Sequence, residues 1–453
     1  MRRFGLPFLI VVTLCGPLVR IPVELVSFKN IAIVPSDIAL AAFGVLLLIG
    51  KLKARSLFFE RAILTWPIFL FFLAASISLA VNAEYYRLHS YEVMVSSLYL
   101  LRWLYYSIPY FLVSDVIKSR QDAKHLLQFL ALGAAVFSGF GVFQAIYLPN
   151  FAIIVDPSNL AGWDLQRNRL VSTFLDPNFA GCLIGVALAG SVAFWMEGFR
   201  RARYLVPLFG LALILTYSRG SVLAFLMAFV YLVAVGKSKR RGFAALFVIL
   251  LIIVAGGPYL VTQAESYRRF TVSDMSAQAR VEHWRSLIAI IHDNPVWGIG
   301  FNTTPFVVPN LSYISKSGFE QAGASSFHIT GGLLTIFALT GVFGLSAYCY
   351  LLGKVVWMSH FVSTRAQDPF YRAWGKLSLS SVIVLVISSF FTLTILYSFI
   401  MALSWIVFGT LSVLYCNSKQ GKPEVARNPA GDPNLLRRSR GVLATQSPFS
   451  TRG

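Results

Sequence analysis

Apolar stretches, most of them long enough to cross a ~30 Å hydrocarbon layer, recur along this chain and leave room for little except a bundle of membrane helices. About twelve are visible, at residues 4–19, 31–50, 62–82, 94–117, 126–147, 178–198, 203–217, 221–236, 243–263, 329–353, 377–396 and 398–416. The first and seventh are short. Hydrocarbon offers no water to backbone N–H and C=O groups, so each run must satisfy its own as a helix. The chain is 57% hydrophobic and 13% charged, with a mean hydropathy of +0.68, unlike a soluble domain. The expected fold is all-α: a polytopic transmembrane bundle of about twelve spans within residues 1–416, with a large outer loop carrying short helices.

A net charge of +20 would suit a nucleic-acid binder, but its distribution excludes that reading. Basic residues gather at Arg2/Arg3, Lys51/Lys53/Arg55/Arg61, Lys118/Arg120/Lys124, Arg200/Arg201/Arg203, Lys237/Lys239/Arg240/Arg241, Lys354/Arg365/Arg372/Lys376 and from Lys419 to Arg440. With the chain starting inside and crossing twelve times, every cluster falls on one side, as the positive-inside rule requires. Both termini are thereby expected in the cytoplasm. The run after Met1-Arg2-Arg3 resembles a signal peptide, but Pro17-Leu18-Val19-Arg20 is a poor cleavage site, so it reads as a retained span. Cys15, Cys182, Cys349 and Cys416 are scattered in or at the ends of apolar runs, without disulfide or metal-ligand spacing. Residues 417–453, rich in Gly, Pro, Ser and Arg, read as a disordered basic tail that attracts anionic membrane lipids.

In this orientation the long outer loops are residues 148–177 and 264–328, and outer-face chemistry is expected there. Arg219 stands in the short break Tyr217-Ser218-Arg219-Gly220 between two apolar runs. An arginine at a membrane boundary is costly and cannot be neutralised, so it calls for an anionic partner. Arg167 and Arg169 precede Asp176-Pro177-Asn178, where one or both polar residues cap the following helix, with Pro177 in its first turn. From Ala277 to Ile291, a helix places Arg280, Trp284, Leu287 and Ile291 on one line, with Glu282 and Arg285 pointing away. Arg280 therefore shares an apolar face, tucked against the membrane domain or a ligand, or else snorkelling to a carboxylate. Asn294, Pro295, Gly298 and Gly300 end that helix. His328 opens the tenth span ahead of Thr330, Gly331 and Gly332, small residues that let another group approach the backbone.

Outward arginines without an acidic metal motif point to an anion bound with no divalent ion, and a pyrophosphate fits. Guanidinium groups grip phosphate oxygens with paired hydrogen bonds and stabilise the charge growing on a departing pyrophosphate. Arg169, Arg219 and Arg280 are the candidate grips. An attacking hydroxyl then needs a base, for which His328 leads and Asp176 and Glu282 follow. Asn178 and Trp284 read as supporting residues.

These residues resemble a known family. Arg169 through Ala180, with Ser-Thr-Phe-Leu-Asp-Pro-Asn-Phe-Ala at its end, Thr216-Tyr-Ser-Arg-Gly220, Arg280 with Trp284, Asn294-Pro-Val-Trp-Gly-Ile-Gly300 and Thr340-Gly-Val-Phe-Gly344 look like the signatures of the O-antigen ligase and O-antigen polymerase superfamily. The resemblance covers roughly residues 165–350. It implies a multi-pass bacterial inner-membrane enzyme whose outer-face arginines, here Arg219 and Arg280, engage the undecaprenyl pyrophosphate of a lipid-linked glycan. It also implies action without metal, cofactor or nucleotide sugar. Family members often carry His-Asn or Asp-Asn about eleven residues before the glycine matching Gly341; Thr330-Gly331 stands there, and His328 lies two residues earlier.

The expected activity is transfer of a glycan from an undecaprenyl-pyrophosphate donor to an acceptor hydroxyl on the outer face. The acceptor is another lipid-linked repeat for a polymerase, a lipid A core sugar for a ligase, or a protein hydroxyl for an O-oligosaccharyltransferase. The rival class is a transporter, such as a flippase for the same lipid. Transporters collect charge near the bilayer midplane and show repeated halves, whereas this chain gathers its candidates at one face.

Overall fold

The computed structural model describes residues 5–19, 21–26, 29–55, 59–155, 168–236, 240–241, 243–245, 275–308 and 331–419. These fold as helices, apart from one short antiparallel hairpin, β1 (Ile21–Val26) and β2 (Lys29–Ile33), which the apolar pattern did not announce. The helices are α1 (Gly5–Cys15), α2 (Pro35–Lys53), α3 (Thr65–Tyr85), α4 (Ser90–Tyr105), α5 (Ile108–Val116), α6 (Arg120–Tyr147) and the short α7 (Phe151–Val155). They continue as α8 (Pro177–Met196), α9 (Leu205–Leu215), α10 (Arg219–Val235), α11 (Met275–Asp293), the one-turn α12 (Thr304–Val307), α13 (Leu333–Arg365), α14 (Pro369–Ser389) and α15 (Ser398–Lys419). Seven of them, α2, α3, α6, α8, α13, α14 and α15, are long and apolar enough to cross a membrane. Among the shorter apolar helices are α1 with its following turn, and α10. The run at 243–263 lies almost wholly outside the described residues.

Three boundaries differ from the apolar pattern for identifiable reasons. The run at 94–117 is two helices, α4 and α5, parted at Tyr106-Ser107, with Pro109 in the first turn of α5. Helix α14 begins eight residues before the run at 377–396 and carries Arg372 and Lys376. Lys376 is therefore no solvated loop charge: it is 1% exposed, and its Nζ donates to Glu197 Oε1 at 2.6 Å. The same carboxylate accepts from Arg372 Nε at 2.9 Å. Burial opposes ionisation of Glu197, but the hydrogen bonds and charges of Lys376 and Arg372 outweigh it and hold the carboxyl below its usual range. Helix α13 is the third case, a 33-residue helix interrupted at Gly341.

The core is most densely packed around α8, α14 and α15, whose spans are 72%, 67% and 89% buried, while α2 and α6 keep most of their surface outward, at 17% and 22%. A membrane bundle sorts itself this way: helices rich in small residues pack centrally, and large apolar side chains such as Leu132 and Val136 of α6 face lipid.

Contacts divide the helix ends into two sets. Glu197, Arg372 and Lys376 mark one end, together with Arg120, paired to Asp368, and Arg241, whose Nη1 donates to Met196 O at 3.0 Å. The opposite end collects Gln144, Arg169, Asp176, Thr216, Arg219, Trp284 and Phe390, described next.

Candidate functional site

The site is assembled from backbone upward. Asp176 caps α8, its Oδ1 accepting from the amides of Asn178 at 2.7 Å and Phe179 at 3.0 Å, with Pro177 at the first helical position. Asn178 does not share the capping. Its side-chain oxygen instead accepts from Ser218 Oγ at 2.9 Å. Ser218 in turn caps α10, accepting from Ser221 N at 3.4 Å. Two helix N-termini are thus tied together by this bond and by Ser221 Oγ, which donates to Asn178 O at 3.3 Å, and their positive dipole ends lie side by side.

Arg219 is the first residue of α10 and is exposed. A cation there works against the helix dipole, which makes the position costly for stability and favourable for an anion. The turn before it is tight, with Tyr217 at φ +50°. Gly220 is covered by Phe391, whose Cδ2 would stand 2.6 Å from an added Cβ.

Arg169 is half-buried and donates from Nε to Thr216 O at 3.0 Å, at the end of α9 and three residues before Arg219. Its loop is held by Gln144, a buried amide in α6 that donates to Arg169 O at 3.2 Å and accepts from Val171 N and Ser172 N at 3.0 and 3.2 Å. Gln144 escaped the sequence reading, although a buried glutamine within an apolar span is itself a signal.

Helix α11 brings the remaining pieces. Arg280 and Trp284 are half-buried and Leu287 is buried, whereas Glu282 and Arg285 are exposed, so the helix faces are as the periodicity predicts. Trp284 Nε1 donates to Phe390 O at 3.2 Å, docking α11 on the end of α14 beside the Phe391 that covers Gly220. Arg280 reaches the capping carboxylate electrostatically. Burial raises the Asp176 pKa above its ordinary value, against the amide hydrogen bonds and the opposing pull of Arg169 and Arg280. One carboxyl therefore feels two arginines from segments about a hundred residues apart. His283, one turn after Arg280, is a further titratable group that the sequence reading passed over. Burial lowers its pKa, and the Arg280 charge adds to that against the nearby Glu282.

The glycine-rich signatures have a backbone explanation. Residues 295–300 lie along the break in α13: Val342 N donates to Pro295 O at 3.0 Å, Ile299 N to Ala338 O at 2.9 Å and Gly300 N to Leu339 O at 3.0 Å. Gly298 (φ +65°) and Gly341 (φ +65°) sit where a side chain would strike the facing carbonyls of Ala338 and Val296. Gly331 packs on Leu287, and Gly332 stands with its Cβ direction 2.7 Å from Ser389 Oγ, so the small residues before α13 do admit close neighbours. Arg167, His328 and Thr330 lie outside the described residues.

The fold and this site define a multi-pass helical membrane protein with a cationic cluster at one end of the bundle. Residues 204–349 match the family model described as O-Antigen ligase, and over that stretch the chain carries a domain of the O-antigen ligase/polymerase superfamily. The matched segment contains Arg219, Arg280, Trp284, Gly298, Gly300 and Gly341. No curated protein matches the chain. A domain of this kind serves glycan transfer in polysaccharide biosynthesis at the bacterial inner membrane.

Proposed function

We propose that this protein transfers glycan from an undecaprenyl-pyrophosphate donor to a sugar hydroxyl at the periplasmic face, as a polymerase of O-antigen or exopolysaccharide. The observation that carries this reading is the convergence of Arg169 and Arg280 on Asp176, beside two tied helix N-termini, one of which begins with Arg219. Such a concentration of positive charge suits a diphosphate, and each guanidinium strengthens its hold as the leaving group gains charge.

In the proposed step, the acceptor hydroxyl oxygen attacks the anomeric carbon of the donor's first sugar. The bond from that carbon to the pyrophosphate oxygen breaks, and undecaprenyl pyrophosphate leaves unprotonated into the grip of Arg169, Arg219 and Arg280. The hydroxyl proton passes to a base, for which we propose His328, three residues before the Gly331 that packs on Leu287 of α11. Asp176 is the second choice, since burial raises its pKa above the ordinary carboxylate value and makes it a stronger base than a solvated carboxylate. Glu282, exposed on α11, is the third choice.

The arrangement of helix ends supports twelve crossings with both termini cytoplasmic. The described helices long enough to cross, α2, α3, α6, α8, α13, α14 and α15, fit that count when α1, the α4–α5 pair, α9 and α10 are added; the twelfth crossing is the apolar run at 243–263 of the sequence, almost all of which lies outside the described residues. The arginine end then faces the periplasm.

The test is direct. Arg219→Ala and Arg280→Ala each abolish glycan transfer while membrane abundance stays unchanged; full activity in both would refute the pyrophosphate grip. Glycolipid profiling of a deletion strain then separates the acceptors. Accumulated single repeats identify a polymerase, long lipid-linked polymer a ligase, an under-glycosylated protein an O-oligosaccharyltransferase, and units held on the cytoplasmic leaflet a flippase.

A further inference from the structure

A second site lies away from the arginine cluster. Between α6 and α8, with walls completed by α1, α9, α14 and α15, is a cavity of about 310 Å³. Its lining is hydrocarbon over most of its length, represented by Leu130 and Ala134 of α6, Leu183 and Ala187 of α8, Phe209 of α9 and Leu403 of α15. The three serines on its wall do not change that character. Ser191, Ser381 and Ser404 each donate back to the carbonyl four residues earlier, at 2.9, 2.8 and 2.7 Å, so their hydroxyls are already engaged with their own helices.

The cavity is polar at one end only. Lys124, near the start of α6, and Arg201, in the turn before α9, both line it, both are exposed, and neither pairs with a carboxylate among the described residues. They lie at the Glu197 end of the bundle. None of Arg169, Asp176, Arg219 and Arg280 lines the cavity. At the other extreme its wall includes Leu14, whose carbonyl accepts from Thr173 Oγ1 in the loop before α8.

An apolar slot with two cations at a membrane-level mouth has the chemistry of a phospholipid: an acyl chain for the slot and a phosphate for the cations. From Leu183 to Phe194 the α8 wall rises roughly 16 Å at about 1.5 Å per residue, most of the length of one extended acyl chain. We propose that this cavity binds one acyl chain of an anionic phospholipid from the leaflet at the Glu197 end, with its phosphate held by Lys124 and Arg201. The two cations select charge, and the hydrocarbon wall retains the chain. The proposal does not depend on the glycan-transfer reading, because none of the arginine-cluster residues lines the cavity and its charged mouth lies at the Glu197 end.

The experiment is native mass spectrometry of the full-length protein in detergent, with phosphatidylglycerol and phosphatidylethanolamine of identical acyl chains as probes. Wild-type protein is expected to retain phosphatidylglycerol at least tenfold better than phosphatidylethanolamine. The pair Lys124→Glu with Arg201→Glu, on the exposed mouth, removes that preference. Ala187→Trp, which fills the slot, reduces retention of both lipids while the protein remains monodisperse. Equal retention of the two lipids by wild type overturns the proposal. So does undiminished phosphatidylglycerol binding in the charge-reversed pair, an arm that stands even if the tryptophan variant fails to fold.

Discussion

Asp176 carries two duties that its neighbours set against each other. Its Oδ1 caps α8, which favours a charged oxygen, while burial favours the neutral acid and prevails. A carboxyl whose folded pKa is raised is best tolerated in its protonated form, so its contribution to stability is present at low pH and is lost as pH rises through the folded value. Asparagine keeps the cap without the charge. Asp176→Asn is therefore predicted to gain thermal midpoint relative to wild type as pH is raised from the acid side, measured in detergent across a pH series. A constant difference across the series would show that burial does not govern this group. Asp176→Ala, which removes the cap as well, should lose about 1 kcal/mol against the asparagine variant.

At the scale of elements, the two ends of α8 are held by opposite means, one end to α14 and the other to α10. One end rests on Glu197, the buried Lys376 and the half-buried Arg372, the other on neutral bonds such as Asn178 to Ser218. Removing one member of a buried ion pair strands the rest, at a cost of about 3–5 kcal/mol. Glu197→Gln should accordingly lower membrane abundance and thermal midpoint. Adding Lys376→Met should recover part of the loss, because the stranded ammonium goes with it; a double variant worse than the single one would contradict the coupling. Gly341 fixes a second joint. Its dihedrals, φ +65° and ψ −168°, lie in a region nearly restricted to glycine, and the carbonyl of Val296 occupies the space of a side chain. Gly341→Ala is expected to cost about 1–3 kcal/mol in backbone strain alone. It should also loosen the 295–300 segment that follows α11, lowering transfer activity as well as abundance.

For the whole molecule, the telling quantity is which residues share a side. Cysteine introduced at Arg285, on the exposed face of α11, should react with a membrane-impermeant maleimide in intact spheroplasts. Cysteine at Arg201 should react only after lysis. Labelling with the opposite sidedness would remove the periplasmic assignment of the arginine cluster, whatever its chemistry. The sidedness is an expectation drawn from loop charge alone, because the positive-inside bias acts on each alternate loop separately and needs no tertiary information. Span edges were less legible. Lys376 and Arg372 disguised the start of α14 as a loop, since a charge can enter a bundle when a partner such as Glu197 waits there, and that partner lies 179 positions away in the chain for Lys376.

Local rules also recovered the cap at Asp176 and the buried face of α11, because both depend on residues within a turn or two of each other. They missed the hairpin at 21–33, the role of Gln144 and the influence of Arg280 on His283. By itself, then, the amino-acid order determined a membrane bundle, its sidedness as an expectation, and the residue types suited to gripping an anion. Tertiary packing alone decided that Arg169 and Arg280 act on one carboxyl and that Ser218 ties the α10 turn to α8. Helix periodicity is encoded within about 3.6 residues, whereas a cluster drawn from α8, α10 and α11 exists only after those helices have been docked through Asn178, Phe391 and Trp284.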